Sequence, residues 1–173
     1  APGDVMAKLI ADQAAPNGKR SAGVAVGILD GFPYLRNGHV IYLWSPAEDG
    51  GGLLRMRDLR SGKELLEPDE KKATWWKLDL KRSDGEQISY ENAGVPCEVT
   101  FDAAGGEGKL LFTWSHEDVR VEIRARLTSG ESLARSKIRV KVTGEESGLQ
   151  SVTFPIVQDI VPLTEDAGGD QIL

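Results

Sequence analysis

The sequence predicts an all-β protein, an antiparallel β-sandwich with one short N-terminal helix. Apolar and polar residues alternate along much of the chain, which is typical of strands with one buried and one solvated face. Glycine and proline, 20 and 8 of the 173 residues, interrupt these runs at short intervals. Helical spacing of apolar residues occurs in only one stretch, near the N-terminus. We therefore expect about ten short strands joined by tight turns.

The composition bounds the class of protein and its partners. The formal net charge is −6, from 21 basic and 27 acidic residues, and this surplus of acid argues against nucleic acid as the main partner. Apolar residues make up 40% of the chain, which is enough for a hydrophobic core. The single cysteine, Cys97, excludes an intramolecular disulfide. No apolar run approaches the ~18 residues that a membrane span needs, so no membrane partner is expected.

The two ends suggest a piece of a longer protein. The chain begins at Ala1 without a visible signal peptide; its alanine-rich start fits signal-peptide removal and an engineered cut equally well. It stops at Leu173, directly after a turn at 166–170, and we interpret residues 171–173 as the start of another element. We expect an extracellular or periplasmic location for the parent protein.

The helix is predicted over residues 4–14. Asp4 is the expected N-cap, and the pairs Val5/Leu9 and Met6/Ile10 lie four residues apart, on one face of a helix. Pro16 and the residues that follow it end the segment. We assign residues 1–20 to an N-terminal helical arm and 21–173 to the β-sandwich domain.

The first half of the sandwich is predicted from short apolar runs. Residues 39–44 are apolar on both faces, as a central strand would be. In the stretch 76–80, apolar side chains alternate with charged ones. Together these patterns predict strands at 24–29, 39–44, 53–59, 64–66, 76–80 and 95–101.

The clearest pattern lies at residues 119–127, where strict alternation over nine residues predicts a strand with one buried face. Short turns connect it to its neighbours at 109–114 and 138–142, so residues 95–143 are predicted to form an antiparallel meander. A last strand is expected at 152–154. The wet face of the meander carries Arg120, Arg124, Arg126, Arg139 and Lys141 together with Glu98 and Glu122.

This basic wet face has two interpretations. The first is a solvated sheet surface whose charges form ion pairs across the strands. The second is a face that docks on an acidic partner domain. We favour the first, because isolated charge runs are usually just solvated.

Phosphate and metal chemistry have no sequence support. The glycines before Lys109 resemble a phosphate loop, but Ala103 and Leu110 replace residues that such a loop requires, so a hairpin loop is expected. His39, His116 and Cys97 lack the spacing of metal ligands. Cys97 is expected to be a buried, inert thiol. We predict no cofactor and no metal site.

Hydrolytic chemistry is equally unsupported. No Gly-x-Ser-x-Gly elbow occurs. Among the carboxylates, the adjacent pairs Glu117-Asp118 and Glu165-Asp166 fall in predicted turns, and neither is identified as the acid and base of a glycosidase. No catalytic residue is predicted in this chain.

The aromatic residues offer candidate carbohydrate-binding positions, because the apolar face of a sugar ring stacks on an exposed aromatic ring. Alternation places Trp75 on the face opposite Trp76, which makes Trp75 the first candidate; Tyr90 is the second. A core position is the alternative for Trp75, and we favour it. Trp44 and Trp114 lie in apolar stretches and are expected in the core.

The order of the motifs resembles a known family. An apolar strand at 39–44 precedes the stretch Leu54–Leu65, which has a Leu-x-x-x-Asp-x-x-x-Gly-x-Glu-Leu pattern. A Trp-rich strand, a strand ending in Trp114, a long alternating pair and Phe154-Pro155 follow. Over residues 37–173 this resembles the N-terminal supersandwich, of galactose-mutarotase-like type, that precedes the catalytic barrel in several glycoside hydrolase families.

The resemblance implies three things about the chain. The fold would be a supersandwich, and residues 170–173 would begin the segment that leads to the barrel. The catalytic carboxylates would lie in that barrel, outside this chain. The histidine and glutamate of the mutarotases are not recognisable here, so mutarotase activity is not carried over.

We therefore expect a non-catalytic β-sandwich domain of a larger carbohydrate-active enzyme. Its partners would be the catalytic domain of the same parent chain and a carbohydrate. One alternative is a free-standing carbohydrate-binding module that uses Trp75 or Tyr90. Another is a sugar epimerase or hydrolase, which needs a cleft with a histidine and a carboxylate.

Overall fold

The computed structural model describes residues 1–66 and 73–157, and in these ranges it confirms an all-β fold with one short N-terminal helix. Besides a 3₁₀ turn at Ala47–Asp49, the elements are α1 (Pro2–Ile10), β1 (Lys19–Ser21), β2 (Val24–Leu29), β3 (Phe32–Arg36), β4 (Val40–Trp44), β5 (Leu53–Asp58), β6 (Glu64–Leu66), β7 (Lys77–Arg82), β8 (Gln87–Glu91), β9 (Glu98–Ala104), β10 (Glu107–Ser115), β11 (Val119–Thr128), β12 (Arg135–Val142) and β13 (Ser147–Thr153).

Helix α1 begins and ends earlier than the predicted span of 4–14. Its N-cap is Ala1, and Asp4 lies inside the first turn, so the expectation that Asp4 caps the helix is wrong. In that position its carboxylate still favours the helix N-terminus electrostatically. Val5, Met6 and Leu9 form the buried face of the helix and pack on the first sheet.

The first sheet holds the six strands β1 to β6 in chain order, each antiparallel to the next. Every residue of β4 is buried, which confirms the prediction of a central strand. This burial arises because α1 covers one face of the sheet, while the other face joins the main core. Two strands of this sheet, β1 and β3, have no counterpart in the predicted set.

The second sheet has four strands in the order β12-β11-β10-β9, which confirms the predicted meander. Along β11, buried and more exposed residues alternate over all ten positions. Its buried face packs toward the first sheet. Gly108 lies where the two sheets meet: a Cβ there would be 2.7 Å from Val24 Cγ1 and 3.0 Å from Leu35 Cδ2, so only glycine allows this close approach.

The third sheet is the three-stranded arrangement β13-β7-β8. Leu78 and Leu80 of β7 are buried in the main core. Strand β13 is different, because six of its seven residues are exposed. The sandwich therefore has one outer strand with little covering among the described residues.

The main core unites all three sheets around aromatic side chains. Trp75 lies within 5.2–6.3 Å of Trp44, Phe112 and Trp114, measured between ring centroids. Trp76 packs edge-on against Trp114 at 5.4 Å. Aromatic contacts of this kind add to the free energy gained by burying apolar area. The four tryptophans thus form the centre of the fold.

Candidate functional site

The most distinctive surface of the described structure is the outward side of the second sheet. Strands β10, β11 and β12 all present charged side chains there, because alternation sends every second residue away from the core. We call the following eight side chains the basic face: Lys109, Arg120, Arg124, Arg126, Arg135, Lys137, Arg139 and Lys141. The same side of the sheet carries four acidic residues, Glu98, Asp102, Glu107 and Glu122.

The strand register brings like charges together on the basic face. Arg124 is the direct cross-strand partner of Lys137, and Arg120 is the partner of Lys141. Arg126 lies between two cations, with Arg135 opposite it on β12 and Lys109 opposite it on β10. Like charges in such positions destabilise a sheet, by roughly 0.2–1 kcal/mol per pair. The register also places Glu122 opposite Arg139 and Asp102 opposite Lys109, so the repulsion is concentrated around Arg120, Arg124 and Arg126.

Ion pairs relieve only part of this repulsion. Lys109 contacts Glu107 at 3.4 Å, Arg120 contacts Glu122 at 3.2 Å, and Arg135 contacts Glu131 at 3.6 Å. None of these three pairs joins neighbouring strands of the sheet, so the cross-strand ion pairs expected from the sequence are not found on strands β10–β12. In the ranges 1–66 and 73–157, no ion pair is formed by Arg124, Arg126, Lys137, Arg139 or Lys141.

A cavity of about 420 Å³ lies on the basic face. Its floor includes Leu111, a half-buried apolar residue that points outward between Thr100 and Arg124. Four of the nine lining residues are cationic, and one is acidic. The cavity is lined by Thr100, Phe101, Asp102, Lys109, Leu110, Leu111, Arg124, Arg126 and Lys137.

Sequence reasoning found five of the eight basic residues and missed Lys109, Arg135 and Lys137. Two of these could have been predicted. Arg135 and Lys137 alternate in step with Arg139 and Lys141 along one strand, so all four face the same side of the sheet. The predicted strand began at Ile138, whereas β12 begins at Arg135. Extending the alternation to the N-terminal side by three residues would have included both.

Trp75 is not an exposed aromatic. Only 1% of its surface is accessible, so Trp75 occupies the core position favoured above and offers no exposed ring on which a sugar could stack. The alternation that sent Trp75 to the opposite face assumed a strand at this position, but β7 begins only at Lys77. Trp75 lines the base of an open cavity of about 200 Å³, together with Tyr42, Trp44 and Phe154.

The reason for this burial is the side chain of Asn92, which is itself fully buried. Asn92 Oδ1 accepts hydrogen bonds from the backbone N–H groups of Trp75, at 2.6 Å, and Trp76, at 3.1 Å. Its Nδ2 donates to the carbonyls of Gly50, at 3.2 Å, and Ala73, at 2.9 Å. Asn92 thereby fixes the backbone that turns both tryptophans inward.

Tyr90 is half-buried and does not stand free on the surface. Its ring lies 4.6 Å from that of His116, whose ring in turn lies 6.2 Å from Trp76. Burial raises the pKa of Tyr90 and lowers the pKa of His116, because each loses hydration of its charged form. His116 Nε2 is buried and has no hydrogen-bond partner among the described residues. The three rings form an aromatic cluster at the end of the core.

The other candidate residues are dispersed. His39 precedes the first sheet's central strand, and its Nδ1 accepts hydrogen bonds from Arg60 at 2.9 and 2.7 Å. His116 belongs instead to the aromatic cluster with Tyr90 and Trp76. Cys97 is a free, half-buried thiol whose pKa is raised by burial to about 12, which fits the inert thiol expected from the sequence. Within residues 1–66 and 73–157, no group of three or more His, Cys, Asp or Glu side chains is placed to hold a metal ion.

The carboxylates of the described cavities are engaged with cations. Asp102, in the cavity on the basic face, pairs with Lys19 at 3.2 Å. Another cavity on the same side contains Glu107 and Glu131, and each of these is ion-paired as given above. The pair Glu117-Asp118 lies in a bend, as predicted, where Asp118 accepts hydrogen bonds from Arg82. Glu165-Asp166 and the predicted elements at 166–173 lie outside the described residues.

Strand β13 forms a second distinctive surface. It carries no charged residue (Ser-Gly-Leu-Gln-Ser-Val-Thr), and it pairs on one side only, with β7, in the described sheets. Leu149 is 43% exposed and Val152 is 38% exposed. Edge strands of soluble domains usually carry charge or proline, or are short, because a bare edge pairs readily with other chains.

No protein-family model and no curated protein matches this chain. No helix in the described part of the chain is long and apolar enough to cross a membrane. The fold, the basic face and strand β13 are therefore the features from which a function can be inferred.

Proposed function

We propose that this chain is a non-catalytic β-sandwich domain of a larger carbohydrate-active enzyme, a glycoside hydrolase. It packs on the catalytic domain of the same parent chain and shapes the rim of the catalytic cleft. The observation that carries the proposal is strand β13, whose uncharged residues are exposed and have no covering element among residues 1–66 and 73–157.

Strand β13 has the chemistry of an interdomain contact. Its leucine and valine side chains offer apolar area, and its second edge pairs with no other strand in the described part of the chain. The neighbouring strand β12 adds Ile138, Val140 and Val142, which are only partly buried against the core. Apolar surface at the edge of a sandwich is typical of interaction sites. A docked domain would bury both strands further.

The arrangement of polar groups supports a non-catalytic role. Glycosidase chemistry needs two carboxylates that face each other across a cleft. The carboxylates of the described cavities are paired with lysine or arginine, and neither His39 nor His116 lines those cavities. The all-β sandwich with one helix also agrees with the fold that the resemblance to supersandwich domains implies.

The alternatives have weaker support. An aromatic carbohydrate-binding platform loses its first candidate, because Trp75 is buried, and its second, Tyr90, packs on His116. A sugar epimerase or hydrolase would need a histidine and a carboxylate in one cleft, and the described cavities offer no such pair.

The proposal is tested by comparing this chain with the longer protein that its reading frame encodes. Hydrogen exchange of the β13 amides is measured in both. We expect these amides to exchange much more slowly in the longer protein, because the docked domain covers them. The double change Leu149→Ser/Val152→Ser should weaken this protection. The matched control is Leu133→Ser, since Leu133 is 68% exposed and lies outside β13.

Two results would contradict the proposal. One is a reading frame that stops directly after Leu173. The other is equal exchange of the β13 amides in the short and the long protein.

A further inference from the structure

We infer that the basic face binds an anionic polysaccharide, whose carboxylate or sulfate groups pair with the arginine and lysine side chains of β11 and β12. The binding of an anionic polymer follows from the geometry of this face. The choice of a polysaccharide among such polymers rests on the proposed function.

The first argument is the supply of unpaired cations. Arg124, Arg126, Lys137, Arg139 and Lys141 form no ion pair among residues 1–66 and 73–157. All five are exposed, so their charged groups are accessible to a ligand. An anion placed between Arg124 and Lys137 would satisfy both and remove their mutual repulsion.

Second, the cations of the basic face repeat at regular distances along and across the strands. Neighbouring strands are about 4.8 Å apart, and outward residues of one strand are about 6.8 Å apart. One row of cations crosses three strands through Lys109, Arg126 and Arg135, and the next row contains Arg124 and Lys137. A lattice of this kind matches a polymer with an anionic group on each repeat better than it matches a single small anion.

The third argument is the floor of the cavity on this face. Leu111 and Thr100 are direct cross-strand partners there, and Arg124 and Arg126 line the same cavity. A sugar ring presents C–H groups on its faces and charged or hydroxyl groups at its edge. The cavity, of about 420 Å³, offers apolar contact below and cations at the side. Guanidinium groups also bind carboxylate and sulfate with two parallel hydrogen bonds.

Other polyanions fit this face less well. Single-stranded nucleic acids bind through aromatic side chains on which the bases stack, and the outward positions of β9–β12 carry no aromatic residue. An acidic protein partner would need apolar contact at the centre of its interface, and the exposed apolar surface lies instead on β13.

The test measures binding of the whole 173-residue chain to immobilised polygalacturonate and dextran sulfate, with uncharged dextran as the neutral control. Single-stranded DNA and poly-glutamate serve as competitors. We expect both anionic polysaccharides to bind and dextran not to bind. Binding should weaken steeply between low and high salt, since the contacts are ionic.

A pair of variants locates the site. Arg124→Glu/Lys137→Glu should lower the affinity for polygalacturonate about tenfold or more, because two charge-assisted contacts are lost. Lys81→Glu controls for a charge reversal outside the basic face: Lys81 is exposed on the third sheet, opposite the uncharged Gln87 and Gly148, and its change should leave the affinity unaltered. Thermal unfolding of each variant verifies that it is folded.

Three results would overturn the inference: no binding of either anionic polysaccharide, equal loss of affinity in both variants, or tighter binding of DNA or poly-glutamate than of the polysaccharides. The outcome is separable from that for the proposed function. Suppose that the chain binds polygalacturonate but its β13 amides exchange equally fast in the short and the long protein. The site on the basic face would then be supported, and interdomain docking would be refuted.

Discussion

Arg124 and Lys137 face each other across strands β11 and β12, and neither forms an ion pair among the described residues. A folded sheet that holds two such cations side by side loses stability through their repulsion. Natural proteins retain features of this kind where a function requires them.

Arg124→Glu should therefore stabilise the unliganded chain. The change converts a like-charge pair with Lys137 into an opposite-charge pair, and we expect the free energy of unfolding to rise by about 0.5 kcal/mol. Urea unfolding at low ionic strength measures the gain, which should vanish near ~1 M salt as the charges are screened. Lys81→Glu changes the net charge equally but has no charged cross-strand partner, so an equal gain in that variant would contradict the argument.

Asn92→Ala should be among the most destabilising substitutions in the chain. It removes four hydrogen bonds that the buried amide makes to the backbone, among them those to Trp75 and Ala73. Buried donors and acceptors without partners cost about 1–3 kcal/mol each. We expect the free energy of unfolding, measured with urea, to fall by about 3 kcal/mol or more. Asn17→Ala, at an exposed position, is the control and should stay within about 0.5 kcal/mol of the wild type.

Gly52→Ala should prevent normal packing at the loop before β5. A Cβ at Gly52 would lie 1.9 Å from the carbonyl oxygen of Ala73, and backbone cannot yield as a flexible side chain does. We expect the free energy of unfolding to fall by about 3 kcal/mol, or the chain not to fold at all. Thermal unfolding measures the difference. At Gly38 an added Cβ would have nothing within 4 Å. Similar melting temperatures for Gly52→Ala and Gly38→Ala would therefore refute the packing argument.

Cys97 should react slowly with thiol reagents in the folded protein. Burial raises the pKa of its thiol to about 12, whereas an unfolded chain has a thiol pKa near ~8.5. At pH 8 the reactive thiolate is therefore scarce in the native state. We expect labelling by iodoacetamide to be about a hundredfold or more slower in buffer than in guanidinium chloride. Equal rates in the two conditions would show that the thiol is accessible.

His116 should make stability fall in mild acid. Burial lowers its pKa in the folded state below the unfolded value of about 6.5. The unfolded chain therefore binds the proton more readily, so the contribution of His116 to stability is present above that value and is lost as the pH falls. Urea midpoints at pH 7.5 and 5.5 should differ more for the wild type than for His116→Phe. His39→Phe is the control variant, and its urea midpoint should depend on pH as that of the wild type does. If its pH dependence is reduced as much as that of His116→Phe, burial of His116 is not the cause.

The sequence predicted the meander well because its signal is local. Alternation in β11 depends only on which side of the sheet each residue faces, and the short turns leave little choice of topology. Strand β3 was missed because Pro33 lies inside it, and proline argues against an inner strand. Strand β8 was missed since its alternation is weak, with Ile88 and Tyr90 as its only large apolar residues.

The charge pattern and the position of Trp75 were harder to foresee, because both depend on contacts between distant residues. Alternation alone predicted a basic surface, but the register decides that Arg124 faces Lys137 and not a carboxylate. Alternation also made Trp75 a candidate for the surface, because it could not show that an amide seventeen residues away, that of Asn92, fixes the backbone of Trp75. Periodicity contains no information about such a hydrogen bond.

The gathering of all four tryptophans in one core has a spectroscopic consequence. All four are at most 1% exposed. Their rings form a continuous row of contacts from Trp44 through Trp75 and Trp114 to Trp76. Their combined fluorescence should therefore follow the cooperative loss of the core with high contrast. It should hardly change when a ligand covers the outward side of the second sheet, so an extrinsic dye attached there, or calorimetry, is the appropriate detector for titrations.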